Sequence, residues 1–383
     1  MKLTLFIAVS LLLATLQLFS QENYKTISKS DSVKIYPGGK PYEVKTFTQK
    51  FKGKKPKNVI MMIGDGMGVA HVFAGLTANG GHLFLENFKY TGFSKTQSSN
   101  KYITDSAAGG TALSTGQKTY NGAIGVNADT IAIKTVLEMA EEKGLATGLV
   151  STSSITHATP ASYIAHRDSR ATYEEIASDF LKTDIDVFIG GGYKHFAQRK
   201  DKRDLTSELK QKGYLVLRDM NEIASVKSGK LAGLIADEHN DPYPKRKMDL
   251  PLSTQTALNL LSQNKKGFFI MVEGSQIDWG GHQNNTIYIV NEMLDFDRSI
   301  GKALEFAAKD GETLIVITAD HETGGFAIVG GDMKTGMVKG AFSTGSHTST
   351  MVPVFAYGPG AEKFTGIMDN TDIPKKIMQL LGL

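Results

Sequence analysis

The run Asn58-Val-Ile-Met-Met-Ile63 is apolar without a break after its first residue and stops at the turn Gly64-Asp-Gly-Met-Gly68. A strand apolar at every position must be covered on both faces, which is the environment of a buried parallel strand. Further strand-like runs follow at 146–151, 185–189, 267–272, 312–318 and 352–357. Segments with helical patterning separate them: 69–79, 135–143, 253–262, 290–308 and 372–381. This alternation predicts an α/β fold, a three-layer α/β/α arrangement with a largely parallel central sheet. In such sheets ligands sit beyond the carboxyl ends of the strands, so those ends are where chemistry is sought.

Residues 1–20 read as a cleavable secretory leader: Lys2 supplies the positive start, 3–16 the apolar stretch, and Leu18-Phe-Ser20 the end. The apolar stretch is short and interrupted, so no stable membrane anchor is expected. Export predicts a periplasmic or secreted protein. Residues 21–55 are polar and read as an N-terminal arm, leaving 56–383 as a single domain. There is no cysteine, which excludes disulfides and thiolate metal sites; any metal must be held by His, Asp, Glu or hydroxyls. A net charge of +4 spread over 383 residues, with basic clusters such as 52–57 and 245–247 that are local, argues against a specific nucleic-acid partner.

Acids, hydroxyls and histidines gather where the strands run out. Asp65 follows 58–63; Thr156, His157 and Thr159 follow 146–151; Glu273 follows 267–272; Asp320 and His321 follow 312–318. Asp278 and His282 are spaced i, i+4, one helical turn apart, which suits two ligands of one zinc-type ion, although a plain surface Asp–His pair has the same spacing. His347 precedes its strand, so the strand-end rule does not place it. Asp105-Ser106 opens a small-residue segment through Gly116 that reads as a helix. A serine there has backbone N–H groups and a helix dipole available to an anion, yet Asp and Ser are equally ordinary helix caps. Pro160 predicts a helix capped by Thr159, with Arg170 about three turns along it. The Arg170 guanidinium could clamp phosphate oxygens or pair with Asp168 or Asp179. His71, His82, His166, His195 and His239 read as surface or helix residues.

Six segments stand in one order: Gly64-Asp-Gly-Met-Gly68, Thr104-Asp-Ser-Ala-Ala-Gly-Gly-Thr111, His157-Ala-Thr-Pro160, Glu273 to Asp278 with His282, Thr318-Ala-Asp-His-Glu-Thr-Gly324 and Gly345-Ser-His347. The set resembles the alkaline phosphatase family, and the chain is similar to its compact bacterial members. The resemblance implies a zinc-dependent phosphomonoesterase with Ser106 as nucleophile, a phosphoseryl intermediate, and an alkaline pH optimum. It implies two Zn²⁺ and one Mg²⁺. Asp278, His282 and His347 would hold one zinc, Asp65, Asp320 and His321 the second beside Ser106, and Asp65, Thr159 and Glu273 the third ion. Arg170 would clamp the phosphate. His157 stands where some members carry an aspartate, so the third site could take zinc instead. Trp279 stands where some have Lys or His reaching toward the phosphate. The short spacing from His321 to His347 implies that the crown-like domain of some members is absent or reduced. Substrates would be small-molecule phosphate monoesters, and a homodimer is expected because members often form one. A phosphodiesterase of the same superfamily is the alternative. A sulfatase is disfavoured, since Ser106 is followed by Ala-Ala and no cysteine is present.

Overall fold

The run at 58–63 lies near the middle of a ten-stranded sheet. In the computed structural model, residues 31–48 and 50–383 are described; the leader at 1–20 and the first part of the arm fall outside them. The sheet strands are β1 (Asn58–Gly64), β2 (Tyr90–Lys95), β3 (Ala146–Ser154), β4 (Val187–Gly191), β5 (Tyr214–Leu217), β6 (Lys230–Leu234), β7 (Phe268–Gly274), β8 (Thr313–Thr318), β9 (Val352–Tyr357) and β10 (Gly366–Asp369). Their order is β10-β2-β9-β8-β1-β7-β3-β4-β6-β5. Only β9 runs antiparallel to its neighbours, β2 and β8; the other pairings are parallel.

Alternate residues of β1 from Val59 to Ile63 enter different cores, which explains why none of these five is polar. Ile60 and Met62 join a cluster containing Phe296 and Ile300, from the helix Thr286–Asp310. Val59, Met61 and Ile63 join one containing Ala107, Leu113 and Ile377 on the opposite face. The result is the expected α/β/α layering. The described part of the arm lies on this body: Ile35–Tyr36 pairs antiparallel with the strand Met337–Phe342, and Tyr42 Oη donates to buried Asp297 Oδ2 at 2.7 Å. That strand and Phe326–Asp332 form a small hairpin between His321 and His347, where only a reduced crown was expected.

One expected element is absent. No helix runs from Thr159 to Arg170: the helix is Ala158–Ala161, its N-cap is His157 rather than Thr159, and Pro160 lies in its first turn. The chain is pulled away by a bridge in which Ile124 and Arg167 exchange backbone hydrogen bonds, both 2.8 Å. Arg170 N–H then donates to Gly122 O at 2.8 Å, so Arg170 sits on a loop pinned to the segment after the Ser106 helix.

Candidate active site

The carboxyl ends of β1, β7 and β8, with segments added from elsewhere in the chain, bring the predicted residues together. Asp65 leaves β1 and donates its backbone N–H to Gly274 O at 3.2 Å. Glu273 lies in register with Ile63 on one side and Ser151 on the other. Asp320 and His321 follow β8 directly. Asp278 and His282 do occupy successive turns of a helix, Gln276–His282, despite its paired glycines. His347 arrives by a two-residue antiparallel pairing in which Thr323 faces His347.

Three groups result, each with ligand atoms mutually within 4.8 Å: Asp278, His282 and His347; Asp65, Asp320 and His321; Asp65, His157 and Glu273. Asp65 belongs to two of them. Thr159 Oγ1 donates to Asp65 Oδ2 at 3.5 Å, which brings the predicted hydroxyl to the third group.

Hydrogen-bond partners orient the imidazoles of His282, His347 and His321. His282 Nδ1 donates to Gly345 O and His347 Nδ1 to Thr104 O, both at 2.9 Å. His321 Nδ1 lies 3.2 Å from Thr323 Oγ1, whose own hydroxyl is given to Asp278 Oδ1. Because these oxygens accept, each Nδ1 carries the proton and the neutral ring turns a bare Nε2 inward. His282 Nε2 and His347 Nε2 stand 3.0 Å apart, and 3.3 and 3.5 Å from Asp278 Oδ1. His321 Nε2 is 3.2 Å from Asp320 Oδ2 and 3.5 Å from Asp65 Oδ1.

Opposed lone pairs at such distances repel. They become bonds around a cation, and the edges of a tetrahedron with ~2.1 Å bonds are about 3.4 Å long. Buried Asp65 Oδ1, Asp320 Oδ2 and Glu273 Oε1 accept no hydrogen bond from the described residues. Burial, then neighbouring Asp320, Asp278 and Glu273, pushes Asp65 well above the usual carboxylate range. Burial, then Asp278, pushes Asp320 up to about 7. Burial holds the His321 and His347 imidazoles down, leaving them neutral. The donor set fits divalent cations of zinc type at the imidazole-rich groups and a harder or mixed site at Asp65, His157 and Glu273.

Ser106 is the first residue of the helix Ser106–Thr115. Its Oγ lies 3.2 Å from His321 Nε2, at the edge of the second group. Asp105 is the N-cap: one carboxylate oxygen accepts from Ala108 N–H at 3.0 Å. The other accepts from Gly122 N–H at 3.0 Å and from Arg170 Nη1 at 3.1 Å. Asp179 is taken by Arg167 and Lys182, and the ion pair of Arg170 described here is with Asp105. Arg170 Nη2 also donates to His157 Nε2 at 3.2 Å. The whole helix is buried against the site, and a Cβ added at Gly109 would stand 3.0 Å from Asp320 Cβ, which accounts for its run of small residues.

A family model described as alkaline phosphatase matches residues 56–341. The chain belongs to the alkaline phosphatase family. Alkaline phosphatase 4 of Bacillus subtilis (strain 168) is 38% identical over 424 aligned residues, covering 87% of this chain and 92% of that protein. The alkaline phosphatase of Escherichia coli (strain K12) is 33% identical, over 86% and 87% of the two chains. Among solved structures, alkaline phosphatase from the Antarctic bacterium TAB5 superposes with a TM-score of 0.81 at 44% identity, covering 86% of this chain and 98% of that one. Variants of that Antarctic protein with a histidine changed to aspartate or glutamate have been solved with magnesium in its M3 site.

Alkaline phosphatase geometry in this chain also depends on residues the strand-end rule does not reach. Thr323 links His321 to Asp278, and Ser151 Oγ donates to Glu273 Oε2 at 2.6 Å. The Thr323–Asp278 and Ser151–Glu273 contacts are long-range, with no local sequence signal. His239, read as a surface or helix residue, is on a loop with its ring 5.4 Å from that of His157. His71 and His195 are helical as expected, but buried. Gly66 has φ +73°, and a Cβ there would meet Asp278 Cα at 2.7 Å. Gly66→Ala is therefore expected to cost about 1–3 kcal/mol of stability and to displace Asp278. Thermal unfolding and metal content of the variant measure this; a protein unchanged in both would show that the turn tolerates a side chain.

Proposed function

We propose that this phosphomonoester hydrolase transfers the phosphoryl group of its substrate to Ser106 and then to water. The observation that carries the reading is the meeting of Ser106 Oγ, at a buried helix N-terminus, with the inward-facing Nε2 of His321, 3.2 Å away. In the first displacement Ser106 gives up its hydroxyl proton to solvent, its oxygen forms a bond to phosphorus, the ester P–O bond breaks, and the alcohol departs with a proton from solvent. In the second, a water oxygen attacks phosphorus, the Ser106 P–O bond breaks, and inorganic phosphate leaves with Ser106 restored. Two in-line displacements retain configuration at phosphorus.

The residues proposed to hold metal are Asp278, His282 and His347 at one zinc; Asp65, Asp320, His321 and Ser106 at the second; and Asp65, Thr159, Glu273 and His157 around the third ion. When bound, such ions lower the pKa of a coordinated hydroxyl or water and neutralise charge on the reacting oxygens. The third site is read as magnesium, or as zinc because of the His157 imidazole. The Antarctic variants support that sensitivity, since exchange of one histidine for a carboxylate there accompanies magnesium binding. Amides at the start of the Ser106 helix face the anionic phosphoryl group, and Arg170 neutralises its equatorial oxygens. Asp105 serves both, as cap and as anchor of the guanidinium. Residues 56–383 are taken as one catalytic domain, and the leader read at 1–20 implies action outside the cytoplasm. No helix of the described residues is long and apolar enough to cross a membrane.

Turnover of an aryl monophosphate and a bis-aryl phosphate by zinc- and magnesium-loaded protein tests the reading. Faster hydrolysis of the diester, or an active preparation without zinc, would overturn it. Arg170→Ala is expected to raise KM for an aryl phosphate by about ten- to a hundredfold, with a smaller loss in kcat. Steady-state kinetics and inhibition by inorganic phosphate measure the split.

A further inference from the structure

His239 lies outside the strand-end set, yet its loop is built rigidly onto the site. Gly192, Tyr193 and Lys194 donate backbone N–H groups to Glu238 O (2.7 Å), Ala236 O (3.0 Å) and Asp237 O (3.0 Å). Asn240 Nδ2 donates to Thr152 O at 3.2 Å, and Gln276 Nε2 donates to both Thr152 O and Asn240 O at 3.0 Å. His239 itself accepts at Nδ1 from Ser154 N–H, 3.0 Å away, at the end of β3. That bond fixes the plane of the imidazole.

The ring so fixed faces two others. It stands 5.4 Å from His157 at 88° and 4.8 Å from Trp279 at 75°. His157 and Trp279 are themselves 6.1 Å apart at 89°. Three mutually upright rings leave each with an edge against a neighbour's face, an arrangement that resists rotation. His157 and Trp279 are both 1% exposed, so neither can swing into solvent. His157 Nε2 in turn receives the Arg170 guanidinium, 3.2 Å away.

We propose that His239 is a positioning residue for phosphate binding: with Trp279 it forms an aromatic stop that fixes the His157 ring, and through it Arg170. The proposal rests on the reading of Arg170 as the phosphate clamp. It differs from simple core packing because it runs through one ring and one guanidinium. It also has its own optical probe, since Trp279 is the chain's single tryptophan.

The test uses the full-length protein loaded with zinc and magnesium, and compares His239→Ala, His239→Asn and His239→Phe. Asn removes the ring, whereas Phe keeps the ring and loses the acceptor for Ser154. Loss of the ring is expected to weaken inhibition by inorganic phosphate and raise KM about tenfold in the Ala and Asn variants, with kcat within about threefold. Phe is expected to recover most of the affinity. Trp279 emission should move to longer wavelength in Ala and Asn as water enters, and stay near the wild-type position in Phe. In an Arg170→Ala background, His239→Ala should change phosphate affinity less than about twofold, because the element it acts through is gone. Equal losses with and without Arg170, or a Phe variant as impaired as Ala, would overturn the proposal. Should Arg170→Ala alone leave phosphate binding intact, the clamp reading fails; the emission of Trp279 still reports whether His239 seats the ring cluster.

Discussion

Ser106→Ala is expected to lower kcat on an aryl phosphate by at least about a thousandfold, a barrier increase of about 4 kcal/mol, with little change in folding stability. The two halves of that expectation come from different contacts. Activity is lost because the substitution removes the oxygen that lies 3.2 Å from His321 Nε2, and no described hydroxyl replaces it in the predicted set. Stability is kept because the helix does not depend on Ser106. Its cap is Asp105, whose carboxylate accepts from Ala108 N–H and from Gly122 N–H. Alanine also suits the first turn of a helix whose next two residues are Ala107 and Ala108. Melting temperature and zinc content should therefore match wild type within small margins, and a burst of covalently held phosphate seen with wild type should vanish. A variant with most of its activity intact would remove Ser106 from the nucleophile's role. A variant that lost metal along with activity would leave the serine's part as a ligand dominant.

The legible and illegible parts of this chain separate on physical grounds. β1 was legible because Val59 to Ile63 each enter one of two cores, so burial is written at five positions in a row. β2, β5, β6 and β10 were not: Phe93, Leu215 and Ile367 are exposed in three of them, and β6 is a short run with Gly233 in its interior. At the site, Asp65, Glu273, Asp320 and His321 were legible because a strand end fixes where its next residues go. His347 depends on a two-residue pairing with Glu322–Thr323, and nothing in a local window announces it; only its place in a six-segment order did so. The Thr159 helix failed for a related reason. A proline in the first turn is a sound local signal, but the Ile124–Arg167 bridge, over forty residues apart in sequence, ends the helix after Ala161. Asp105 was legible as a cap, and its second oxygen explains why the cap is an aspartate. Serine could serve the helix alone; holding Arg170 as well requires a second, charged acceptor.

Removing metal with a chelator is expected to abolish activity and, separately, to give the protein a pH dependence that the loaded form lacks. Asp65, Asp278, Asp320 and Glu273 converge in a buried space. Without a cation their charges repel and remain undersolvated, which is why burial and its acidic neighbours hold Asp320 at about 7 and raise Asp65 well above the ordinary range. A carboxyl with a folded-state pKa above its unfolded value binds a proton that the unfolded chain has already released. The stability contributed by that proton is fully present below the unfolded carboxyl pKa and is lost as pH rises through the folded one. The buried histidines act in the opposite sense. His321 and His347 are held below their ordinary pKa, so they oppose folding as pH falls below about 6.5, where the unfolded chain takes up protons. Between about pH 6.5 and 8 the histidines are largely silent and the carboxyls decide the slope. The metal-free protein is therefore expected to lose on the order of 1 kcal/mol across that interval, read as a falling unfolding midpoint in denaturant. With zinc and magnesium restored, the same carboxylates are ionised and bound, and the midpoint should be flat or should rise, since metal competes with protons for these ligands. A metal-free protein with a flat midpoint over this range would mean that the acidic groups do not share one buried field, and the assignment of Asp65 to two adjoining metal groups would fall with it.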